Sequence, residues 1–178
     1  MAAPVVVIGC GRRDRGDDAV GTLVAERLAD LQPAGVEVWT EETPAVDLLD
    51  RLGEPGREEA TRLLIFVDAA LARPRSGLRP RRPFSGTWKR IDYRLHPEAL
   101  AGRTPASTHS ISVPEILKLG DALEVLPPTV WIYAVFGDRF ELGQPVSPAA
   151  RELAVRVAEA VAQDIRAFLA AGALSCTS

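Results

Sequence analysis

Cysteine, histidine and long apolar runs are all scarce in this chain. Its 178 residues include two cysteines, Cys10 and Cys176, and two histidines. The cysteines stand in no metal-ligand spacing and make a poor disulfide pair, which favours a reducing cytoplasm over secretion. No apolar run approaches the roughly 20 residues that span a bilayer, and the amino terminus lacks the basic region of a signal peptide. We therefore expect a cytoplasmic protein with no membrane partner.

An excess of charge of one sign is lacking as well. The formal net charge is -3, which gives no sign of a nucleic-acid partner. The apolar share of 47% and the charged share of 25% are those of an ordinary globular protein. A chain of this length can bury a core without disulfides or a structural metal. We expect one domain over residues 1–172 and a short tail at 173–178.

The glycine-rich nucleotide motifs are incomplete. Gly9-Cys10-Gly11 begins a G-x-G-x-x-G pattern, but Asp14 stands where the third glycine belongs. There is no P-loop and no G-x-S-x-G nucleophile elbow. Acidic residues at the start of the first helix would also repel a pyrophosphate. A nucleotide-binding protein is thus a minor alternative, and Cys10 is best interpreted as a small buried hydrophobe.

An alternation of strands and helices is present throughout the chain. Apolar or alternating runs predict strands at residues 4–10, 36–40, 63–67, 87–93 and 129–136. Periodicity and capping signals predict helices after Asp18, over 44–52 with Thr43 as cap, from the capping box at Ser112, and from Ser147 to near Gly172. The expected fold is a single three-layer α/β domain, with helices on both faces of a mostly parallel twisted sheet. Strand 87–93 is the candidate antiparallel edge strand.

Acidic and imidazole side chains stand where a parallel sheet would bring them together. Asp17 and Asp18 head the first helix, Asp68 follows an apolar strand, and His109 precedes the helix that starts after Ser112. Strand carboxyl ends and the amino ends of the helices that follow them share one edge of such a sheet. Carboxylates with an imidazole suit a borderline cation such as nickel or zinc. Each group also has a structural interpretation, as a helix cap, a ligand of loop amides or a solvated side chain.

A basic stretch occupies residues 71–90, which contain no acidic residue. We interpret it as an exposed loop, or alternatively as a surface that docks an acidic partner or the carboxylate end of a peptide. Its cations are Arg73, Arg75, Arg79, Arg81, Arg82, Lys89 and Arg90.

Taken in order, these motifs resemble those of the nickel-iron hydrogenase maturation endopeptidases, nearly end to end. The family's opening motif G-x-G-x-x-x-x-G-D-D/E-x-x-G is similar to residues 9–21, and its strand ending in Asp-Ala is similar to residues 64–69. Its histidine loop and helix are similar to residues 107–109 and 113–117, and its closing segment to residues 135–137, 142–143 and 146–148. Two departures are Arg12, where the family usually has Asn, and residues 41–44, where it has a glycine-rich turn. The second departure places Glu41 or Glu42 near the crevice that is expected at the edge of the sheet where Asp18, Asp68 and His109 meet.

The resemblance implies an endopeptidase that removes the C-terminal extension of a nickel-loaded hydrogenase large-subunit precursor. It implies that Asp18, Asp68 and His109 are the metal-binding and catalytic residues, which leaves Asp17 as the helix cap. The nickel would arrive with the precursor, and no organic cofactor is expected. We expect the protein to act as a monomer. A non-catalytic chaperone or binding module for a metalloprotein precursor is the alternative from a different class.

Overall fold

One five-stranded sheet organises the chain in the computed structural model, which describes residues 3–57, 61–71, 86–100 and 111–174. In chain order the strands are β1 (Val5–Cys10), β2 (Val36–Glu41), β3 (Leu63–Leu71), β4 (Trp88–Asp92) and β5 (Thr129–Gly137). In space their order is β2-β1-β3-β5-β4, and only β4 pairs antiparallel, at one edge. The predicted α/β class and the predicted antiparallel edge strand are both confirmed.

Helices cover both faces of this sheet. The helices α1 (Val20–Leu31) and α4 (Pro148–Leu174) pack on one face, while α2 (Asp47–Leu52) and α3 (Val113–Ala122) pack on the other. Helical spacing explains the packing of α4, because its buried residues recur every three or four positions. These residues include Leu153, Val157, Val161 and Ile165. Two short 3-10 helices, Gly16–Ala19 and Pro97–Leu100, complete the described secondary structure.

Two helix boundaries differ from those predicted. Helix α2 begins at Asp47, after Val46, and no side chain caps it, so the prediction of Thr43 as its cap is wrong. Helix α4 continues two residues past Gly172. A glycine that ends a helix usually adopts a positive φ, and Gly172 is not among the residues that do. It lies instead beside the Arg62 guanidinium, which is 2.6 Å from where a Cβ would stand.

Strand β3 is also longer than its apolar run suggests. The run of fully buried residues ends at Val67, but the strand continues to Leu71 because β5 offers pairing partners as far as Gly137. Asp68 therefore lies within the strand, opposite Ala134, and not after its last residue as predicted. On the other side of β3, the pairing with β1 ends at Gly9 and Val67, so Asp68 stands one position beyond the last paired residue.

The crevice edge of the sheet lies between β1 and β3. The chain leaves β1 toward β2 on one side and returns to β3 on the other, which makes this the point where ligands bind in open α/β sheets. Helix α1 approaches β1 closely there: a Cβ on Gly9 would stand 2.2 Å from the Gly21 carbonyl oxygen, and one on Gly21 would stand 2.1 Å from that of Cys10. The two glycines are what permit this contact.

Part of the basic stretch stabilises the fold. The Arg90 guanidinium donates to Asp164 on α4 at 2.7 Å and lies 4.8 Å from the centre of the Trp131 ring. The Tyr133 hydroxyl donates to the same Asp164 carboxylate oxygen at 2.5 Å. Arg90 therefore ties the edge strand β4 to α4. The five arginines at positions 73–82 lie outside the described residues.

No helix among the described residues is both long enough and apolar enough to span a bilayer.

Candidate active site

Three side chains form a row across the sheet at its carboxyl edge. Cys10 pairs with Glu41 on β2, and Asp68 follows the pair of Gly9 with Val67 on β3. Residues side by side in neighbouring parallel strands point to the same face of a sheet. Because Cys10 is buried in the core beneath α2 and α3, the carboxylates of Glu41 and Asp68 belong on that face, one on each side of the thiol.

Negative charge surrounds the thiol of Cys10 and affects its pKa. Burial raises its pKa most, and the charges of Asp68, Glu41 and Asp18 raise it further. Three carboxylates on three separate elements therefore act on one buried atom at the crevice edge. A nucleophilic cysteine needs a lowered pKa, so the interpretation of Cys10 as a buried hydrophobe agrees with its surroundings.

Asp18 lies in the 3-10 helix between β1 and α1 and is partly buried. The backbone N–H of Arg12 donates to its Oδ2 at 2.8 Å. Burial raises the pKa of Asp18 above its usual value, although this hydrogen bond and the charges of Arg15 and Arg12 act in the opposite direction. The protein surroundings therefore stabilise the ionised Asp18 carboxylate only in part, which is common for a group that binds a ligand.

Asp17 has a different environment. Only 2% of its surface is exposed, and three backbone N–H groups donate to its carboxylate, from Ser147 at 2.9 Å, Asp138 at 3.1 Å and Arg139 at 3.3 Å. Burial alone would raise the pKa of Asp17, but these hydrogen bonds outweigh it and lower the pKa. No side chain caps the 3-10 helix or α1. The prediction that Asp17 is the helix cap is therefore wrong.

The loop that follows β5 holds the turn that carries both aspartates. The N–H of Gly16 donates to Gln144 at 2.9 Å, and the N–H of Asp17 donates to Arg139 at 2.7 Å. The N–H of Gly143 donates to Asp14 at 2.6 Å. This loop contains residues 142–143 and 146–147 of the family-like closing segment, for which the sequence offered no structural reason. Its role is to fix the turn around Asp17.

The two departures from the family motif have defined partners. The Arg12 guanidinium pairs with Asp14 at 2.7 Å, within its own loop. Glu41 accepts a hydrogen bond from Arg51 of α2 at 2.7 Å, and Arg51 lies 3.8 Å from the centre of the Trp39 ring. The expected extra negative charge near the crevice is thus Glu41, and Arg51 partly balances it.

The third predicted ligand, His109, lies outside the described residues. The helix after it begins as predicted: the Glu115 carboxylate accepts hydrogen bonds from the N–H and the hydroxyl of Ser112, at 2.8 and 2.7 Å. Helix α3 leads into β5, which is parallel to β3, so its amino end lies at the crevice edge. Within the described residues no group of three histidine, cysteine or acidic side chains is arranged to hold a metal. The two described carboxylates, Asp18 and Asp68, are oxygen donors that suit the predicted set, and the set stays a prediction.

Several solved structures share this fold. HycI from Thermococcus kodakarensis, a NiFe hydrogenase maturation protease, is 25% identical, with 90% of this chain and 91% of that chain covered and a TM-score of 0.65. The hydrogenase maturating endopeptidase HybD from E. coli is 19% identical, with 94% of both chains covered and a TM-score of 0.70. The endopeptidase HycI from E. coli is 21% identical, with 89% and 88% covered and a TM-score of 0.63. No family model and no curated protein matches the sequence. The chain has the fold of the hydrogenase maturation proteases, the family that its sequence motifs resemble.

Proposed function

We propose that this protein is a metal-dependent endopeptidase that removes the C-terminal extension of a nickel-loaded hydrogenase large-subunit precursor. The observation that carries the proposal is the likeness to HycI of T. kodakarensis over 90% of this chain. The carboxylates of Asp18, Glu41 and Asp68, gathered at the crevice edge around Cys10, support it. Under this proposal the protein works in the cytoplasm, as a monomer.

In the proposed reaction nickel belongs to the substrate, because it arrives bound to the precursor. Asp18, Asp68 and His109 bind it and thereby place the bond to be cut. A bound divalent cation polarises a carbonyl or lowers the pKa of a bound water toward about 7. A precursor without nickel lacks the group that these three residues recognise, so cleavage waits for loading.

The surrounding residues have supporting roles in this proposal. The Arg12 N–H fixes the Asp18 carboxylate at 2.8 Å, and the central strand β3 holds Asp68 between β1 and β5. Rigid placement of this kind is what a catalytic group needs, since a displacement of about 1 Å can cost 100-fold in rate. Arg51 restrains Glu41, so that this third carboxylate competes less for a cation.

The proposal is tested by incubating the purified protein with the nickel-loaded large-subunit precursor of the same organism and following the precursor mass by mass spectrometry. We expect the wild type to release the extension from loaded precursor and not from nickel-free precursor. We expect Asp18→Asn, Asp68→Asn and His109→Ala to abolish release.

Two matched controls separate site effects from general damage. His96→Ala changes the other histidine, which is exposed, and Asp30→Asn changes an exposed carboxylate on α1. Both should cleave like the wild type. Equal cleavage by the three site variants would refute the site assignment. Tight binding of precursor by the wild type without loss of mass would favour the chaperone alternative.

A further inference from the structure

A cavity of about 310 Å³ opens beside Asp17. It lies where β5 ends and α4 begins. Its size is at the lower end of the range for ligand pockets, which is about 300–1,000 Å³. It can therefore hold one large side chain, and not a folded segment of a partner.

The buried polar groups of this cavity are already satisfied. The Asp17 carboxylate accepts three backbone N–H bonds and a further hydrogen bond from the Ser147 side chain. The Ser147 hydroxyl oxygen also accepts from the N–H of Ala150 at 3.1 Å. A polar ligand would have to break these bonds to replace them, which gains little. The cavity thus offers no buried hydrogen-bonding group that awaits a partner among the residues described.

The rest of the lining is largely apolar. Besides Asp17 and Ser147, the lining residues are the uncharged Gly86, Phe136, Gly137, Pro148, Ala149 and Ala150 and the charged Asp138 and Arg139. Asp138 and Arg139 are exposed and carry opposite charges, each screened by water. The third charge in the lining, that of Asp17, is already bound by three backbone N–H groups. An apolar occupant loses water contact and sacrifices no hydrogen bond.

We propose that this cavity binds one large apolar side chain of the substrate peptide, close to the bond that is cut. The inference rests on the proposed function and extends it. Asp17 lines the cavity and Asp18 belongs to the crevice, and consecutive Cα atoms are about 3.8 Å apart. An extended peptide advances about 3.3 Å per residue, so a side chain one to three residues from the bond reaches the cavity.

Direct binding tests the cavity independently of protease activity. Amide shifts of the ¹⁵N-labelled full chain are recorded with acetyl-Gly-Phe-Gly-amide, and with the same peptide carrying Lys or Asp in place of Phe. We expect the Phe peptide to shift the amides of Gly137, Arg139, Ala149 and Ala150. Burial of a Phe side chain corresponds to about 10- to 100-fold in affinity, so the charged peptides should bind at least about tenfold more weakly. Equal or tighter binding of either charged peptide would overturn the proposal.

Variants that fill the cavity provide a second test of the proposal. Ala149 is exposed on α4, so Ala149→Phe and the smaller Ala149→Leu fill the cavity without disturbing the core. Ala167→Phe makes the same change at an exposed position far along the same helix. We expect both Ala149 variants to lose the shifts caused by the Phe peptide, and Ala167→Phe to keep them. Retained shifts in both folded Ala149 variants would contradict the proposal.

Cleavage assays then connect the cavity to the reaction. If the wild type processes the precursor, Ala149→Phe should raise KM at least about tenfold with little change in kcat, because substrate binding is lost without loss of the reacting groups. An unchanged KM would overturn the role in substrate binding. Failure of the wild type to cleave would refute the proposed function, while the peptide shifts would still decide whether the cavity binds apolar side chains.

Discussion

Asp17 and Asp18 are consecutive residues in one turn, yet their surroundings differ in almost every respect. On the Asp17 side, the loop after β5 closes over the carboxylate and supplies three backbone donors, and the pKa is lowered. On the Asp18 side, the backbone N–H of Arg12 donates to the carboxylate, and burial raises the pKa. The Asp17 carboxylate is used to hold the turn together, whereas the Asp18 carboxylate keeps oxygen lone pairs that can bind a ligand. We therefore expect substitution of Asp17 to lower mainly stability and substitution of Asp18 to lower mainly activity.

The largest expected effect is on activity, from Asp18→Asn. Loss of this proposed metal ligand should lower cleavage of nickel-loaded precursor by at least about 100-fold, more than the 10- to 100-fold that is usual for residues that only support metal ligands. Asn can still accept the Arg12 hydrogen bond, and it removes a costly ionisation, so thermal stability should stay the same or rise. Mass spectrometry and a thermal melt measure the two effects. Strong destabilisation by Asp18→Asn would break the comparison.

The next effect is on stability, from Asp17→Asn. Hydrogen bonds to a charged group contribute about 1.5–3 kcal/mol, and the NH₂ group of Asn would face backbone donors. We expect the free energy of unfolding to fall by about 2–4 kcal/mol, measured by urea denaturation. Asp30→Asn, at an exposed position, should change it by less than about 0.5 kcal/mol. A stable Asp17→Asn that has lost cleavage would mean that Asp17, and not Asp18, serves the reaction.

A smaller effect depends on pH. Because the pKa of Asp17 is lowered in the folded protein, its contribution to stability is fully present above the unfolded value of about 3.9. It is lost as the pH falls through the folded pKa. The difference in Tm between wild type and Asp17→Asn should therefore be largest near neutral pH and shrink below about pH 4. A difference that does not change down to about pH 3 would show that charge is not what the three N–H groups stabilise.

The smallest effect is expected from Arg51→Ala, on the crevice side. An exposed ion pair contributes about 0.2–1 kcal/mol and a cation–π contact about 0.5–1 kcal/mol. The variant should lose about 1 kcal/mol of stability, measured by urea denaturation. Arg51→Lys should recover part of the loss, because it retains the charge but not the planar contact with Trp39. A loss of stability as large as that caused by Asp17→Asn would contradict the difference between the Asp17 side and the Asp18 side.

The fold could be predicted from the sequence because the signals for its strands and helices are local. The apolar strands, the capping box at Ser112 and the periodicity of α4 each appear within a few residues. The partners of Asp17 were not predictable in this way, since acids at the head of a helix are ordinarily caps and nothing near Asp17 indicates a distant loop. The extension of β3 past Val67 likewise depends on β5, which is remote in sequence. Asp68, His109 and the pair Asp17 and Asp18 were selected from their expected places at one edge of the sheet, and the resemblance singled out Asp18 within the pair. The joint role of Asp18, Asp68 and His109 stays a prediction.

The hydrogen bond from Ser147 to Asp17 spans 130 positions in the sequence, and this separation has a consequence for synthesis. A chain emerging from the ribosome can form β1, α1 and β2 early, since their contacts are close in sequence. The turn with both aspartates lacks its partners until β5 and the start of α4 have been made. The nascent protein therefore lacks a finished turn around Asp17 and Asp18 for most of its translation, and the proposed protease activity can arise only after α4 has docked.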